Sequence, residues 1–564
     1  MKHLLLSYLV LALLTIHPIY GYEVPTNVQK KNILLEEFTG IHCGNCSDGH
    51  LVAKTLQKSH PDNIYVVAIH SGHYAEPYEG DPDFRIDAGE ELDSYFEAHN
   101  YGYPGGMINR HKFEGEPLTV FNRGAWIKSA KAIHQEDALV NLSLTSSFDA
   151  QNKLVNIQIE GYCPMDVSPN LTPMLSVLWT QSNILGYQNG GGAGNEYNHA
   201  HMLRGYVTPT FGELIENFGK ETYFQKTYTF NLPTDIKGIE VKPEDIEIIA
   251  FVSDGQGEIL NVTGGKPTYS NYEKQLAAEI SLPKIPIGTR YGYNFFELNI
   301  ENHSSQTLTH ASFDININEE ELTSEWTGEI APFSSKEITI KVSPYTILSK
   351  NKYSIQLKTL NEQSVTPSTI NGEFANPVEI VSAIIITLQT DLYADENIFC
   401  LKDAEGNVIR EFGPYESNLK KEYQEPLNLS KNQIYCFEIK DEWGDGIQQG
   451  YLKIHTENKK IVAQEYSIKD FGIRSFFKTS NETSIASNKL SPLISYDPIS
   501  RSIHSMIDSN SPMDISLYSI SGKKILDEVL NYNSSLKIPS LPQGIYLLQW
   551  KQATQAGVVK LNIQ

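Results

Sequence analysis

The sequence predicts a multidomain protein, α/β at its N-terminal end and all-β beyond it. Three observations predict that class. Between Asn32 and about Gln135, short apolar runs alternate with helix-compatible stretches, the pattern of one α/β domain. After Asp137 the texture changes to period-two alternation broken by turn residues, the pattern of β-sandwich or jelly-roll modules. The chain has 564 residues, room for roughly three or four domains at about 150 residues each.

Composition narrows the function. Lys and Arg number 45 against 68 Asp and Glu, a net charge of −23. That balance excludes nucleic acid, whose phosphates need cations, and disfavours docking on an anionic lipid surface. Hydrophobic residues at 40% and charged residues at 20% exclude a disordered or collagen-like chain. Five cysteines are too few for a disulfide-stapled miniprotein. With a mean hydropathy of −0.32, one apolar run matters for a membrane. It follows Met1-Lys2-His3, spans Leu4 to Ile16 and leads to the small residue Gly21. A basic start and a short apolar core read as a signal peptide over residues 1–21, too short for a comfortable span. Cysteine is missing near the cleavage region, so a lipoprotein anchor is not expected. Export places the remaining cysteines in an oxidising compartment.

The α/β domain is expected over residues 28–136. Ile33–Phe38 is a short apolar strand, punctuated by Thr39-Gly40. A helix runs from about Cys46 to Ser59, with Leu51 and Leu56, then Val52 and Thr55, facing inward. Ile64–Ile69 is a continuous apolar run, hence a buried strand of a parallel sheet. A helix at Gly89–His99, the dipeptide Tyr103-Pro104, a strand at Gly106–Arg110 and a helix at Val120–His134 complete the domain. A β-sandwich follows at 137–268. Its first hairpin joins Leu139–Leu144 to Leu154–Ile159 through Asp149–Asn152, and Leu175–Trp179, Thr227–Asn231 and Ile246–Val252 are later strands. Residues 278–372 repeat the style as an Ig-like sandwich, with strands at Tyr293–Ile300, Ala311–Ile317, Glu337–Val342 and Tyr353–Leu360. Residues 376–480 form a further β-rich module. A polar linker begins at Thr479–Ser484, and 490–564 is a small terminal β module.

Chemistry concentrates at Cys43-Gly44-Asn45-Cys46, between a buried strand and a helix. A helix N-terminus carries partial positive charge and favours a thiolate on the first cysteine. Two cysteines at this spacing exchange between dithiol and disulfide, and His42 adds charge or relays a proton. In a βα context this is a thioredoxin-like redox motif. A static disulfide is the bland alternative, and a zinc site using Cys43, Cys46 and His50 lacks a second Cys-x-x-Cys. Attached c-type haem is excluded because Ser47 follows Cys46. Pro104 falls where a thioredoxin fold holds a cis-proline facing the cysteine pair. The candidate catalytic residues are therefore Cys43, Cys46, His42 and Pro104, with Cys43–Cys46 able to form a disulfide.

Other motifs have blander readings. Glu76–Glu97 carries nine acids and one Arg, a solvated loop unless it binds a cation or repels acidic partners. Gly190-Gly191-Gly192-Ala193-Gly194 lacks the Gly-Lys-Ser/Thr of a P-loop and reads as a flexible β loop. His199 and His201 would share one strand face, which permits a metal pair but equally a polar face. Cys400 and Cys436 are expected to form a disulfide, leaving Cys163 as a buried thiol. Asp441-Glu442-Trp443-Gly444-Asp445-Gly446 looks calcium-like but fails as an EF-hand loop: Trp443 takes the third position and Leu452 the twelfth. It reads as a tight turn. No cofactor is implied, no metal is assigned, and serine-hydrolase and zincin motifs are missing.

Residues 32 to about 265 resemble a bacterial family related to a 28-kilodalton outer membrane protein. The resemblance rests on Glu36-Glu37-Phe38-Thr39-Gly40, Cys43-Gly44-Asn45-Cys46, Gly49-His50, Tyr103-Pro104-Gly105-Gly106, and Tyr197, His199, His201 and Arg204. It implies a thioredoxin-fold domain followed by a β-sandwich. His42 stands where thioredoxin itself has Trp, and Ser47 where Pro is usual. Residues 490–564 resemble the C-terminal sorting domain of type IX secretion cargo. The matching pieces are Ile515–Lys523, Leu541–Leu548 and the final Val558–Ile563, with Asp497-Pro498 in place of the usual Asn-Pro. That resemblance implies a tail that directs passage across the outer membrane, engages the type IX machinery and is removed on attachment to surface lipopolysaccharide. The whole then reads as an exported outer-membrane or cell-surface protein. Its chemistry is thiol–disulfide exchange with exported partners bearing thiols or disulfides. The competing class is a surface adhesion or binding protein with a structural Cys43–Cys46 bridge.

Overall fold

The computed structural model describes residues 24–283, 291–292, 294–413, 415–455, 461–468, 471–480, 494–497, 501–505, 512–519, 523–531, 534–542, 544–552 and 555–563. The expected signal peptide and most of the expected linker after Thr479 lie outside them. The fold is mostly β, and no helix among the described residues is long and apolar enough to cross a membrane. The chain divides into two compact units, residues 1–274 and 275–564.

The first unit opens with strand β1 (Ile33–Thr39), helix α1 (Cys46–Ser59) and strand β2 (Ile64–His70). Short helices α2 (Gly72–Ala75), α3 (Asp87–Phe96) and α4 (Ala98–Tyr101) precede β3 (Gly105–Ile108), β4 (Phe121–Asn122) and helix α5 (Trp126–His134). The expected helix at Val120–His134 thus begins later, after a two-residue strand and a 3-10 turn. β1 runs parallel to β2 and antiparallel to β3. Both long strands are buried along their length, as the apolar run of β2 requires, and in β1 the burial includes Glu36 and Glu37.

The α1 helix has the expected ends, but its inward face is Cys46, Gly49, Ala53 and Leu56, while Leu51 is 57% exposed. The correction is one of register. A weakly apolar helix offers two candidate faces, and the i, i+3, i+7, i+10 set anchored by Cys46 is the one buried.

Next come β5 (Asn141–Asp149), β6 (Leu154–Tyr162), β7 (Pro173–Gln181), β8 (Ile184–Gln188), β9 (Gly194–His199) and β10 (Met202–Tyr206). The sheet does not stop at residue 136. β10 pairs with β2 on one side and with β7 on the other. The strand order is Ile259–Gly265, Ile246–Asp254, β7, β10, β2, β1, β3, β4. A second sheet, built on β5 and β6, packs against this one. Strand Ile246–Asp254 shows how: Ile248, Ala250 and Val252 enter the core with β5 and β6, whereas Ile249 and Phe251 join Leu34, Phe38 and α3 on the other face.

The second unit holds three pairs of sheets, each around its own apolar cluster. Phe295–Asn302 and Ser335–Lys341 face Leu308–Ile317 and Lys350–Leu360. In the next pair, Asn397–Asp403, Ile434–Asp441 and Gly472–Thr479 face Ala383–Gln389 and Ile447–His455. The last pair contains Met513–Ser519 and Gly544–Gln552.

The expected Cys400–Cys436 disulfide is not formed; both cysteines are free and buried. Strand register explains this. Cys400 sits opposite Glu438 and Cys436 opposite Lys402, so the two cysteines are diagonal neighbours, about 7–8 Å apart. A disulfide needs Cβ atoms about 3.5–4.5 Å apart. Glu438 occupies the nearer place, bonded to Lys402 (2.7 Å) and Arg474. Burial opposes its charge, but Arg474 and Lys402 outweigh burial and hold its carboxyl at about 2. Cys163 is also a free, buried thiol, its pKa raised by burial.

Candidate functional site

The Cys43–Cys46 pair sits where β1 delivers the chain to α1. Gly40 makes the exit possible: a Cβ there would lie 2.4 Å from the Tyr74 backbone, so the strand end can pass close to α2. The His42 N–H donates to the Tyr74 carbonyl at 2.9 Å. Cys43 and Cys46 are joined as a disulfide with their Cα atoms 5.4 Å apart. They are 3% and 0% exposed.

Beneath the first turns of α1 lies a carboxyl that the sequence reading did not single out. Glu37 is 1% exposed. Its Oε1 and the Pro104 ring lie 2.6 and 2.8 Å from where a Cβ on Gly49 would stand. Gly49 therefore lets a buried acid and a proline approach the helix three residues after Cys46. The Tyr103–Pro104 bond is cis. Burial raises the Glu37 carboxyl well above the usual range, with Arg123 acting weakly against it. His50 Nε2 is 3.8 Å from Glu37 Oε1 and 2.9 Å from Thr39 Oγ1, and its Nδ1 is 2.7 Å from the Tyr197 hydroxyl. Burial, then His199 and His201, lower His50 to about 3. His70 and His199, with ring centroids 5.4 Å apart, are also held neutral by burial, His199 at about 4. Burial thus pushes Glu37, His50, His70 and His199 each toward its neutral form.

Above the disulfide lies the β8–β9 hairpin. Gln188 Nε2 donates to the carbonyls of Gly40 (3.2 Å) and Cys43 (3.1 Å). The Asn189 N–H donates to the Ile41 carbonyl at 2.7 Å, and Asn189 Nδ2 to the His42 carbonyl at 3.3 Å. Gly190, at φ +87, stands so close that a Cβ would lie 2.3 Å from the Gly44 oxygen. The glycine run read as a flexible loop is a clamp on the Cys-x-x-Cys segment.

His42 points to the acidic stretch. Its Nε2 is 3.1 Å from Asp81 and its ring stacks on Tyr78 at 3.8 Å. Several acids of Glu76–Glu97 have partners: Asp83 pairs with Arg85 and Lys237, and Asp93 accepts from Tyr103 at 2.6 Å. His199 and His201 do not share a strand face. β9 ends at His199, and His201 turns at φ +53, which breaks the alternation. His199 Nε2–H donates to the Tyr187 carbonyl at 3.2 Å, while His201 Nδ1 lies 3.9 Å from Glu247. Gln188 escaped the sequence reading, and Glu37 and Tyr197 entered it only through the family resemblance, with no role assigned. The signal for Glu37 was there: two adjacent glutamates inside an apolar strand with no exposed face.

Residues 90–270 match the family of the outer membrane protein Omp28. The matched segment starts inside α3, after Cys43–Cys46, and so leaves out β1, α1 and β2. Residues 498–564 match the secretion system C-terminal sorting domain, that of type IX secretion. Together the two matches indicate an exported protein, secreted or placed at the outer membrane or cell surface, whose tail engages the secretion machinery. No curated protein matches the chain. Among solved structures, HBP35 of Porphyromonas gingivalis is similar at 16% identity and a TM-score of 0.35, over 61% of this chain and 98% of that one. A protein from Agrobacterium tumefaciens is similar at 13% identity and a TM-score of 0.28, over 44% and 99%.

Proposed function

We propose that the first unit carries a thioredoxin-like thiol–disulfide exchange centre, acting at the cell surface on exported proteins bearing thiols or disulfides. The observation that carries this reading is Glu37. A static bridge needs no proton donor, whereas a buried carboxyl pushed toward its neutral form under the helix that begins at Cys46 can serve a sulfur that gains and loses charge. In the oxidised protein a partner thiolate attacks Cys43 Sγ. A mixed disulfide forms and Cys46 leaves as a thiolate, which takes the Glu37 proton. A second partner thiol, giving up its proton to the Glu37 carboxylate, then attacks the mixed disulfide. It leaves with a partner disulfide and releases Cys43 as a thiolate. Two electrons pass from partner to protein, and the reverse order reduces a partner disulfide. The α1 N-terminus stabilises the Cys43 thiolate. Pro104 aligns the partner chain.

A second reading is favoured by the burial of both sulfurs under the β8–β9 hairpin: a surface binding protein in which the bridge is structural. One experiment separates them. Cys46→Ser is expected to trap mixed disulfides with exported proteins on Cys43, and Cys43→Ser to trap none and to abolish turnover of a disulfide substrate. Equal, slow alkylation of both reduced thiols with no trapped partner would favour the structural bridge.

A further inference from the structure

Far along the chain from the cysteine pair, three carboxylates meet in the 376–480 module. Glu396 ends the 3-10 turn Ala394–Glu396, Asp441 ends strand Ile434–Asp441, and Asp445 lies in the turn that follows. Each offers an oxygen within 4.8 Å of the others. Glu396 and Asp441 are buried and Asp445 is half-buried. Asp441 Oδ1 accepts from the N–H groups of Gly444 and Asp445, which curls the turn around the three carboxyl groups.

Acids alone do not make a site; Asn397 supplies the independent observation. It is 6% exposed. Its Nδ2 donates to the Tyr393 carbonyl at 3.1 Å, while its Oδ1 is buried and has no hydrogen-bond donor. The Tyr393 carbonyl fixes the orientation, since a flipped amide would set oxygen against oxygen. Asn397 stands directly opposite Asp441 in the strand ladder. Directly opposed residues project from the same face with Cβ atoms about 4.5–5.5 Å apart. A desolvated amide oxygen is therefore set beside the Asp441 carboxylate, an acceptor among acceptors. A cation satisfies all of them together, whereas a water proton satisfies at most two.

We propose that Glu396, Asn397, Asp441 and Asp445 bind a calcium ion. The donors are all oxygens. Oxygens within 4.8 Å of one another are close enough to share one ion. Three carboxylates and an amide oxygen suit calcium, which takes about six to eight oxygen ligands, whereas magnesium keeps several waters and is held by one or two carboxylates. The ligands come from two strands and two turns rather than from one loop, so the segment Asp441–Gly446 fails the EF-hand spacing yet still serves. The ion ties that turn to the start of strand Asn397–Asp403.

The test uses the full chain after chelator treatment. Calorimetry with calcium chloride is expected to give one ion per chain, with a dissociation constant at or below about 1 mM. Terbium bound in its place is expected to luminesce through Trp443, which lies in the same turn, and to be displaced by calcium but not by equimolar magnesium. Glu396→Gln and the milder, half-buried Asp445→Asn should each weaken calcium at least about tenfold, because ligand charge sets affinity. Trp443→Phe should quench the luminescence and leave the calorimetric binding. Absence of calcium binding by the wild type at several millimolar, binding unchanged in both acid variants, luminescence unchanged by Trp443→Phe, or displacement by magnesium as effective as by calcium would each overturn the proposal.

Discussion

Glu36 and Glu37 are neighbours on β1, both buried, and they point to opposite faces of the strand. Glu36 meets Arg110 in a two-pronged ion pair, both contacts 2.7 Å, with the guanidinium near the Phe96 and Phe251 rings. Glu37 faces Gly49, Pro104 and His50 instead, and burial raises its carboxyl well above the usual range. Their fates differ because one meets a buried cation and the other a dry pocket. Glu37→Gln keeps the shape and removes the titration. It should slow exchange at pH 7 by about tenfold or more, read by stopped-flow oxidation of a dithiol; a wild-type rate would remove Glu37 from the mechanism. Stability carries an independent sign. The folded carboxyl titrates above its unfolded value of about 4.3, so ionisation of the unfolded chain costs the native state stability as pH rises from there through the folded pKa. Glu37→Gln should therefore gain stability over wild type at pH 7 and little at pH 4, measured by thermal unfolding.

At the level of elements, the β8–β9 hairpin decides whether the disulfide can be reached. Its hold is local and testable at Gly190. Alanine there meets both a left-handed φ and the Gly44 oxygen, a strain of about 1–3 kcal/mol that lifting the hairpin relieves. Gly190→Ala should speed reduction of Cys43–Cys46 by dithiothreitol several-fold, followed by gel shift after alkylation; an unchanged rate would mean that access does not run through the hairpin. This element was only half legible. The glycines marked a loop, but a glycine run has no periodicity to say what it covers. Its place is set by β10 docking on β2, about 130 residues away in sequence. The cysteine pair at 400 and 436 failed for the same reason: export suggested pairing, and a two-residue offset across the ladder keeps the two apart.

On the scale of the whole molecule, the sorting tail and the working units are separable in sequence. A chain ending near Asn488 lacks the segment that matches the sorting domain. It should enter the periplasm and fail to reach the surface, as read by fractionation and protease shaving of intact cells; normal surface display would exclude a sorting role for the tail. The first unit adds a feature that no linear reading provides. Strands from the α/β stretch and from the β stretch share one sheet, so sequence texture changes at residue 137 while the hydrogen-bond ladder continues.

The sequence by itself determined the class of each stretch, the position of Cys43 and Cys46 at a strand-to-helix junction, and the exported, β-rich character of the chain. These follow from residue type and local period, which act over a few residues. Only the tertiary structure decided the rest. It chose which face of α1 is buried, what clamps the disulfide, and which glutamate is paired. It also set Asn397 opposite Asp441. Each of those depends on register between strands distant in sequence, and a shift of one or two residues there leaves composition untouched while changing every partner.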